Sequence, residues 1–321
     1  MMHLIARRLL QLPLVLLAVI VITFALVWLI PGNPMQNEGR QPPAEVVEAM
    51  NRQYQLDTPA SFLGGYLARV SGVGWVLGWN TQLVDFGPSM RHPDWTVNEI
   101  ISAGLPISAT IGFGAIAIAL FVGTAAGLVG GLKPGSWWDA ATQSIALVGI
   151  SLPSFVTGSL LIVLFAAKLR LFPVGGWGSP AHALLPMVTL SLPFAAYIAR
   201  LLRFGLIEQM HTDHLRTARA KGLSRRQAAW SHALKNAFLP VLSFLGPAAA
   251  AAMTGSFVVE KVFAVPGLGR HFVDAVLGKD ITLVMGVVLV YAALLVAFNL
   301  LVDVLYVWID PRIEIVAVQR R

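Results

Sequence analysis

The chain has 321 residues, of which 56% are hydrophobic and 12% charged, with a net charge of +7 and no cysteine. A soluble domain carries about a quarter charged residues, so that class is excluded, and so are disulfide frameworks and thiolate sites. The basic excess suits anionic lipid as well as nucleic acid, but the cations lie between apolar runs without a basic-aromatic platform, so nucleic acid is not read as a partner.

Arg7 and Arg8 precede a first apolar run, residues 9–30, closed by Pro31-Gly32. The run is longer than a signal-peptide core and no small-x-small cleavage site follows it, so it reads as an uncleaved first span. About 20 apolar residues cross the hydrocarbon core. Residues 31–103 are more polar and read as a small extracytoplasmic region, with one amphipathic helix after Pro43 and a turn at Asp85-Phe86-Gly87-Pro88. Trp75, Trp79 and Trp95 suit an interface.

Span two is predicted over residues 105–132, with a small-xxx-small face at Gly123 and Gly127 expected to pack within the bundle. A short inner loop, residues 133–139, leads to span three over 141–167, with Pro153 as a kink point. Residues 168–182 form an outer loop. Span four covers 183–206 and contains Pro186 and Pro193, with Arg200 and Arg203 placed to reach headgroups from its inner end. Span five covers 237–259. An outer loop over 260–280 holds a re-entrant or surface turn at Val265-Pro-Gly-Leu-Gly269, and span six covers 281–308.

These spans put both termini in the cytoplasm. Fourteen of the 23 Lys and Arg residues then lie inside and nine outside, although the outer region is longer. That bias has the sign expected of cytoplasmic loops.

Between spans four and five lies a basic loop, residues 207–236. Arg216, Arg219, Lys221, Arg225, Arg226 and Lys235 face only Glu208 and Asp213. Asp213 is read as the N-cap of a short helix through Ala220. Gly222 stops it in a left-handed conformation. Ser224 and Gln227 form a capping box opening a second helix. Two helices hinged at a glycine on a membrane surface make a handle for a partner.

Chemistry within the chain is sparse. There is no GxxxxGK[ST] loop, HExxH or GxSxG motif. His211 and His214 lack further metal ligands. Asn299 and Asp303 lie four apart near the inner end of span six and read as a structural pair rather than a proton site. The spans offer hydroxyls and small residues without a carboxylate relay, which argues against a proton-coupled carrier. Ser151, Ser154, Ser243, Thr254 and Ser256 are candidates to line a passage. A passive channel or secondary carrier, working without nucleotide, and an intramembrane enzyme, needing a nucleophile–base pair at depth, are the rival classes.

The run Arg216-Thr-Ala-Arg-Ala-Lys-Gly222-Leu, followed by His232-Ala-Leu-Lys-Asn236-Ala-Phe-Leu-Pro240, resembles the coupling loop of binding-protein-dependent ABC importer permeases of the peptide branch. Arg216, Thr217 and Ala218 occupy the places of the family's Glu-Ala-Ala, with Gly222 matching; the acidic first position and the placing of Pro240 depart from the general pattern. Further resemblance lies in Asp85-Phe-Gly-Pro-Ser-Met90 with Thr96-Val-Asn98, Ala183-Leu-Leu-Pro-Met187, Thr254-Gly-Ser-Phe-Val-Val-Glu260, Pro266-Gly-Leu-Gly269, and Asn299-Leu-Leu-Val-Asp-Val-Leu-Tyr306 with Asp310-Pro-Arg312.

The resemblance implies an all-α membrane protein of six transmembrane helices with the type I ABC importer permease fold, a transmembrane module over residues 104–308 and a cytoplasmic tail over 309–321. It implies a non-catalytic plasma-membrane permease for oligopeptides, with dipeptides, other peptide-like ligands and nickel or metal chelates as alternatives. The implied partners are a second homologous permease, two ABC ATPase subunits and an extracytoplasmic peptide-binding protein. The chain itself would hold no cofactor, and ATP and Mg would be bound by the ATPases. The implied coupling segment is Asp213, Arg216, Thr217, Ala218, Arg219, Ala220, Lys221, Gly222, Leu223 and Ser224.

Overall fold

A computed structural model describes residues 2–29, 45, 48, 51, 54, 56, 58–92, 94–254 and 257–309. The predicted helix after Pro43, the tail motif Asp310-Pro-Arg312 and the lining candidate Ser256 lie outside or largely outside these residues. Among the described residues the chain is helical, apart from one isolated bridge between Pro88 and Thr96.

The helices are α1 (Met2–Leu29), α2 (Pro59–Val70), α3 (Val97–Leu132), α4 (Trp137–Ser151), α5 (Ser154–Leu161, continued by a π-helical stretch Ile162–Lys168), α6 (Pro180–Met210) and α7 (Asp213–Ala220). Next comes α8 over residues 225–237, in which π-helical Ala229–Ala233 separates Arg225–Ala228 from Leu234–Ala237. Then follow α9 (Leu239–Thr254), α10 (Phe257–Val262), α11 (Leu268–Gly278) and α12 (Ile281–Ile309). By length and composition five segments can each cross a bilayer, with α9 and α10 forming one of them, and α4 with α5 makes a sixth if the pair counts as one span. The chain is thus an all-α membrane protein.

One element bends where the sequence places a kink, more sharply than a kink implies, and one differs from the sequence reading. Span three is broken, its halves α4 and α5 meeting at 105°. The cause is Pro153, which disfavours the helical conformation of the residue before it. Leu152 accordingly has φ −83° and ψ 126°. The outer loop before span six contains α11, whose buried Leu268, Gly269, Ala275 and Gly278 lie along its length.

Two compact units divide the chain over its described residues: Ala6–Ile107 with Pro266–Leu294, and Met1–Ile5, Ser108–Val265 and Leu295–Arg321. In the first, Thr58 and Ser61 form a capping box and Pro59 occupies the first turn, which starts α2. Phe62 and Tyr66 on α2 are fully buried, and Phe62 lies between Phe24 and Tyr66 with ring centroids 5.6 and 6.3 Å away.

The stretch that begins at Asp85 is knotted to the start of α12. Asp85 Oδ1 accepts the Gly87 N–H at 2.8 Å and Asn98 Oδ1 accepts the Phe86 N–H at 2.9 Å, while Gly87 has φ +85°. Asp280 has no exposed surface, and its carboxylate receives Ser89 Oγ at 2.5 Å, Thr282 Oγ1 at 2.9 Å, and the N–H groups of Arg91 (3.2 Å) and Leu283 (3.0 Å). A carboxylate surrounded by donors at a helix N-terminus satisfies both its own charge and the orphan amides of α12.

In the second unit α3 lies against α6 along Gly123, Gly127 and Gly131. A Cβ placed on Gly123 meets the Ala195 carbonyl at 2.6 Å, on Gly127 the Ala199 carbonyl at 2.8 Å, and on Gly131 the Leu206 side chain at 2.9 Å. Glycine therefore sets the approach of the two backbones, as in small-xxx-small packing within a bilayer. The predicted pair extends by one further turn. Gly205 on α6 makes the same kind of approach to α8, where a Cβ would lie 2.6 Å from the Ala237 carbonyl.

Candidate functional site

The basic loop folds as α7 and α8, at the end of α6. Thr212, not Asp213, stands at the N-cap of α7, with φ −73° and ψ 152°; Asp213 is the first helical residue. The Thr212 hydroxyl donates back to Gln209 at 2.6 Å, so it closes α6 rather than capping α7. Asp213 still suits its place, because acidic side chains are favoured in a first turn. Its ion pair with Arg216 is 3.4 Å long, with both side chains largely exposed, and contributes little.

Helix α7 ends in a Schellman motif. The Leu223 N–H reaches Ala218 O at 3.3 Å and the Gly222 N–H reaches Arg219 O at 2.9 Å. Gly222 adopts φ +96°. The capping box at the start of α8 forms as the sequence predicts: the Ser224 N–H donates to Gln227 Oε1 at 3.0 Å, and the Gln227 N–H donates to Ser224 Oγ at 3.3 Å.

One side chain seats α7. Leu215 has no exposed surface and joins Leu206 and Met210 of α6, Ala228, Ala229, Ala233 and Ala237 of α8, and Val241 of α9, with Leu223 packed at the edge. The rest of the segment is open. Asp213, Arg216, Thr217, Arg219, Ala220, Lys221, Gly222 and Ser224 are exposed, and Ala218 and Leu223 are half-buried. The result is a two-turn cationic helix held by one leucine, offering most of its surface to a partner. Leu215→Ala is expected to free it. Such truncations cost about 2–5 kcal/mol in a core, which exceeds what an isolated eight-residue helix can supply for itself. Hydrogen exchange at residues 213–220 measures the release, and unchanged protection there contradicts it.

An ion pair lies close by. Arg203 of α6 grips Asp139 of α4 in a forked geometry, Nε to Oδ1 at 2.5 Å and Nη2 to Oδ2 at 2.7 Å. Asp139 also accepts the Gly135 N–H at 2.9 Å, and Ser136 caps the helix it opens. Arg203 is therefore turned to a partner inside the chain, not toward headgroups as its position near a span end predicts.

The remaining sequence candidates are dispersed. Ser151 and Ser243 are exposed, and Ser154 and Thr254 are half-buried. Ser243 donates to Leu239 O at 3.1 Å and Thr254 to Ala250 O at 2.9 Å, so both hydroxyl protons are used within α9. Asn299 and Asp303 are half-buried on α12. His211 Nδ1 contacts Ile207 O at 2.7 Å, and no group of three potential metal ligands occurs among the described residues. The sequence reading missed Glu260. This residue is fully buried on α10 and accepts a hydrogen bond from buried Ser108 of α3 at 2.7 Å. Nothing local to Glu260 signals a partner 152 positions away.

Comparison with known proteins places this geometry in context. Two solved structures share the fold: an amino acid ABC transporter with histidines (TM-score 0.51, 19% identity, 65% of this chain and 93% of that one) and the MetNI methionine ABC transporter in inward-facing form (TM-score 0.51, 19% identity, 64% and 95%). The oligopeptide transport system permease protein OppB of Salmonella typhimurium is 40% identical over 318 residues, covering 98% of this chain and all of its own length. The dipeptide transport system permease protein DppB of Bacillus subtilis is 38% identical over 300 residues, 94% of each chain. Residues 119–315, which contain α7 and α8 whole, match the family described as binding-protein-dependent transport system inner membrane component. The chain, with its bundle of apolar helices and its leucine-seated basic loop, belongs to that family.

Proposed function

We propose that this chain forms half of the translocation pathway of an ATP-driven importer, and that α7 is the element through which ATPase subunits move it. The single observation that carries the reading is the seating of α7: one buried leucine packed with residues of α6 and α8, and eight open residues of the predicted coupling segment. A helix so held transmits a push as a rigid body, and two packed arrangements of the bundle give inward and outward openings. A second, homologous permease supplies the other half. ATP and Mg belong to the ATPase subunits, and this chain does no chemistry on them.

The orientation follows the charge bias: both termini and residues 207–236 are cytoplasmic, and residues 31–103 face the other side, where a binding protein delivers the ligand. The membrane module spans residues 104–308. Oligopeptides are the proposed cargo, supported by the OppB relative at 40% identity. Dipeptides are the second reading, since the DppB relative stands at 38%. Ser151, Ser154, Ser243 and Thr254 line the passage in this proposal. With the hydroxyl protons of Ser243 and Thr254 engaged within their own helix, the passage is weakly polar and tolerant of side chains, and selection falls to the binding protein.

A cysteine at Arg219 tests the reading in the intact complex in proteoliposomes. It is expected to cross-link to an ATPase subunit, with a yield that changes when ATP is added. Failure to capture any ATPase, or labelling of that cysteine by an impermeant reagent from the binding-protein side, sinks it.

A further inference from the structure

Trp230 stands 53% exposed in the π-helical turn of α8, while its neighbours Ala228, Ala229 and Ala233 are buried. A π turn shifts the register of a helix by one residue and is often found at functional positions. Here it leaves the alanines inside and the indole outside, between two open grooves.

The first groove has a volume of about 580 Å³. Its floor is Leu128, Val129 and Leu132 of α3, its walls are Trp138 and Trp230, and Lys133 and Arg226 also line it. The second, about 570 Å³, shares Trp230 with the first and reaches Thr124 of α3. Phe238, Leu239 and Leu242 supply its apolar surface, with Lys235 also among the lining residues. The first groove lies where the apolar run of α3 ends at Leu132 and polar chain begins at Lys133, which is the depth of a bilayer headgroup region, and the second reaches Thr124, about two turns further into the same helix. Trp138 is 48% exposed, as suits an indole at that depth.

The occupant must therefore be apolar over most of its length, forked to straddle an indole, and anionic at the level of Lys133, Arg226 and Lys235. We propose that these paired grooves bind one anionic phospholipid, one acyl chain on each side of Trp230 and the phosphate among the three cations. The supporting argument is charge complementarity: three cations line the grooves, and Lys133, Arg226 and Lys235 are all exposed. The placement rests on the end of α3 and holds for either orientation of the chain, so it stands apart from the proposed function. A lipid here touches α8, to which α7 is joined through Gly222, and so couples membrane composition to the position of that helix.

The test uses the assembled transporter in nanodiscs of phosphatidylcholine with or without phosphatidylglycerol, released gently for native mass spectrometry. Wild type is expected to retain phosphatidylglycerol in preference to phosphatidylcholine. Each cation near an anionic lipid contributes about a fivefold preference, so Lys133→Gln, Arg226→Gln and Lys235→Gln together are expected to lower it by roughly a hundredfold. Arg170→Gln, the same charge loss just past the end of α5, is expected to leave it unchanged. Trp230→Ala, which keeps every charge, reports on the grooves if the triple variant does not assemble, and is expected to lose retention of either lipid. Equal retention of both lipids by wild type, or an unaltered preference in the triple variant and Trp230→Ala, overturns the proposal. A photocross-linker at Trp230 that captures a polypeptide instead of lipid overturns it as well.

Discussion

Gly222→Val is expected to abolish uptake in an assembled complex that still hydrolyses ATP. The objection to valine is the backbone alone. Gly222 has φ +96°, and a Cβ there meets nothing within 4 Å. For a β-branched residue that conformation is a genuine outlier, and holding it costs about 1–3 kcal/mol. The Schellman closure of α7 would open before that strain is borne, because one of its hydrogen bonds joins the exposed Gly222 and Arg219 and the other joins the half-buried Leu223 and Ala218 at 3.3 Å. Once open, α7 turns independently of α8, and an ATPase stroke moves a loose helix rather than the bundle. Gly222→Ala, with less branching, is expected to fall between valine and wild type. The measurement is ATP hydrolysed per ligand imported in proteoliposomes. A variant with wild-type stoichiometry would falsify the hinge.

The second large effect is on stability. Removing one member of a buried, forked ion pair leaves the other uncompensated, a loss of about 3–5 kcal/mol when burial is complete. Asp139 is 5% exposed but Arg203 is 19% exposed, so water offsets part of the loss. Asp139→Ala is expected to cost about 2–3 kcal/mol and to lower the thermal midpoint of the purified complex by about 3–5 °C. Arg203→Lys is expected to recover little, since a point ammonium cannot reproduce two parallel N–H bonds. Asp139→Asn, which keeps the Gly135 contact and one acceptor for Arg203, is expected to lie between. A midpoint that Asp139→Ala leaves unmoved removes the pair from any structural role.

What the sequence revealed was local. The Ser224–Gln227 capping box and the left-handed Gly222 depend on residues within four positions, and both form as read. The Gly123–Gly127 face was legible because only close backbone approach explains paired glycines in an apolar run; its continuation at Gly131 was not, since the partner Leu206 is 75 positions away. Carboxylates favour an N-cap, which points to Asp213, but Thr212 has the extended backbone and its hydroxyl is used by α6. The turn letters of Val265-Pro-Gly-Leu-Gly269 obscured α11, which begins inside them. The Arg203–Asp139 pair joins residues 64 apart and Ser108–Glu260 joins residues 152 apart, so no spacing rule reaches either. For the candidate site, the segment was visible as charge between apolar spans. Its anchor Leu215 was not, because one leucine in a cationic stretch carries no periodicity.

The break at Pro153 has a consequence for solvent. Each half of that crossing has 15 residues, about 22 Å of helix, which is shorter than the roughly 30 Å of hydrocarbon to be traversed. The extended peptide at Leu152, itself 40% exposed, thus falls at depth. Peptide groups outside helical geometry are not tolerated against acyl chains. The chain meets them itself: the Leu152 N–H donates to Val148 O at 3.1 Å, Pro153 has no N–H to satisfy, and its carbonyl accepts from Val156 at 3.0 Å and Thr157 at 3.2 Å, so where the pair counts as one span the corner can sit at depth with its polar backbone largely closed.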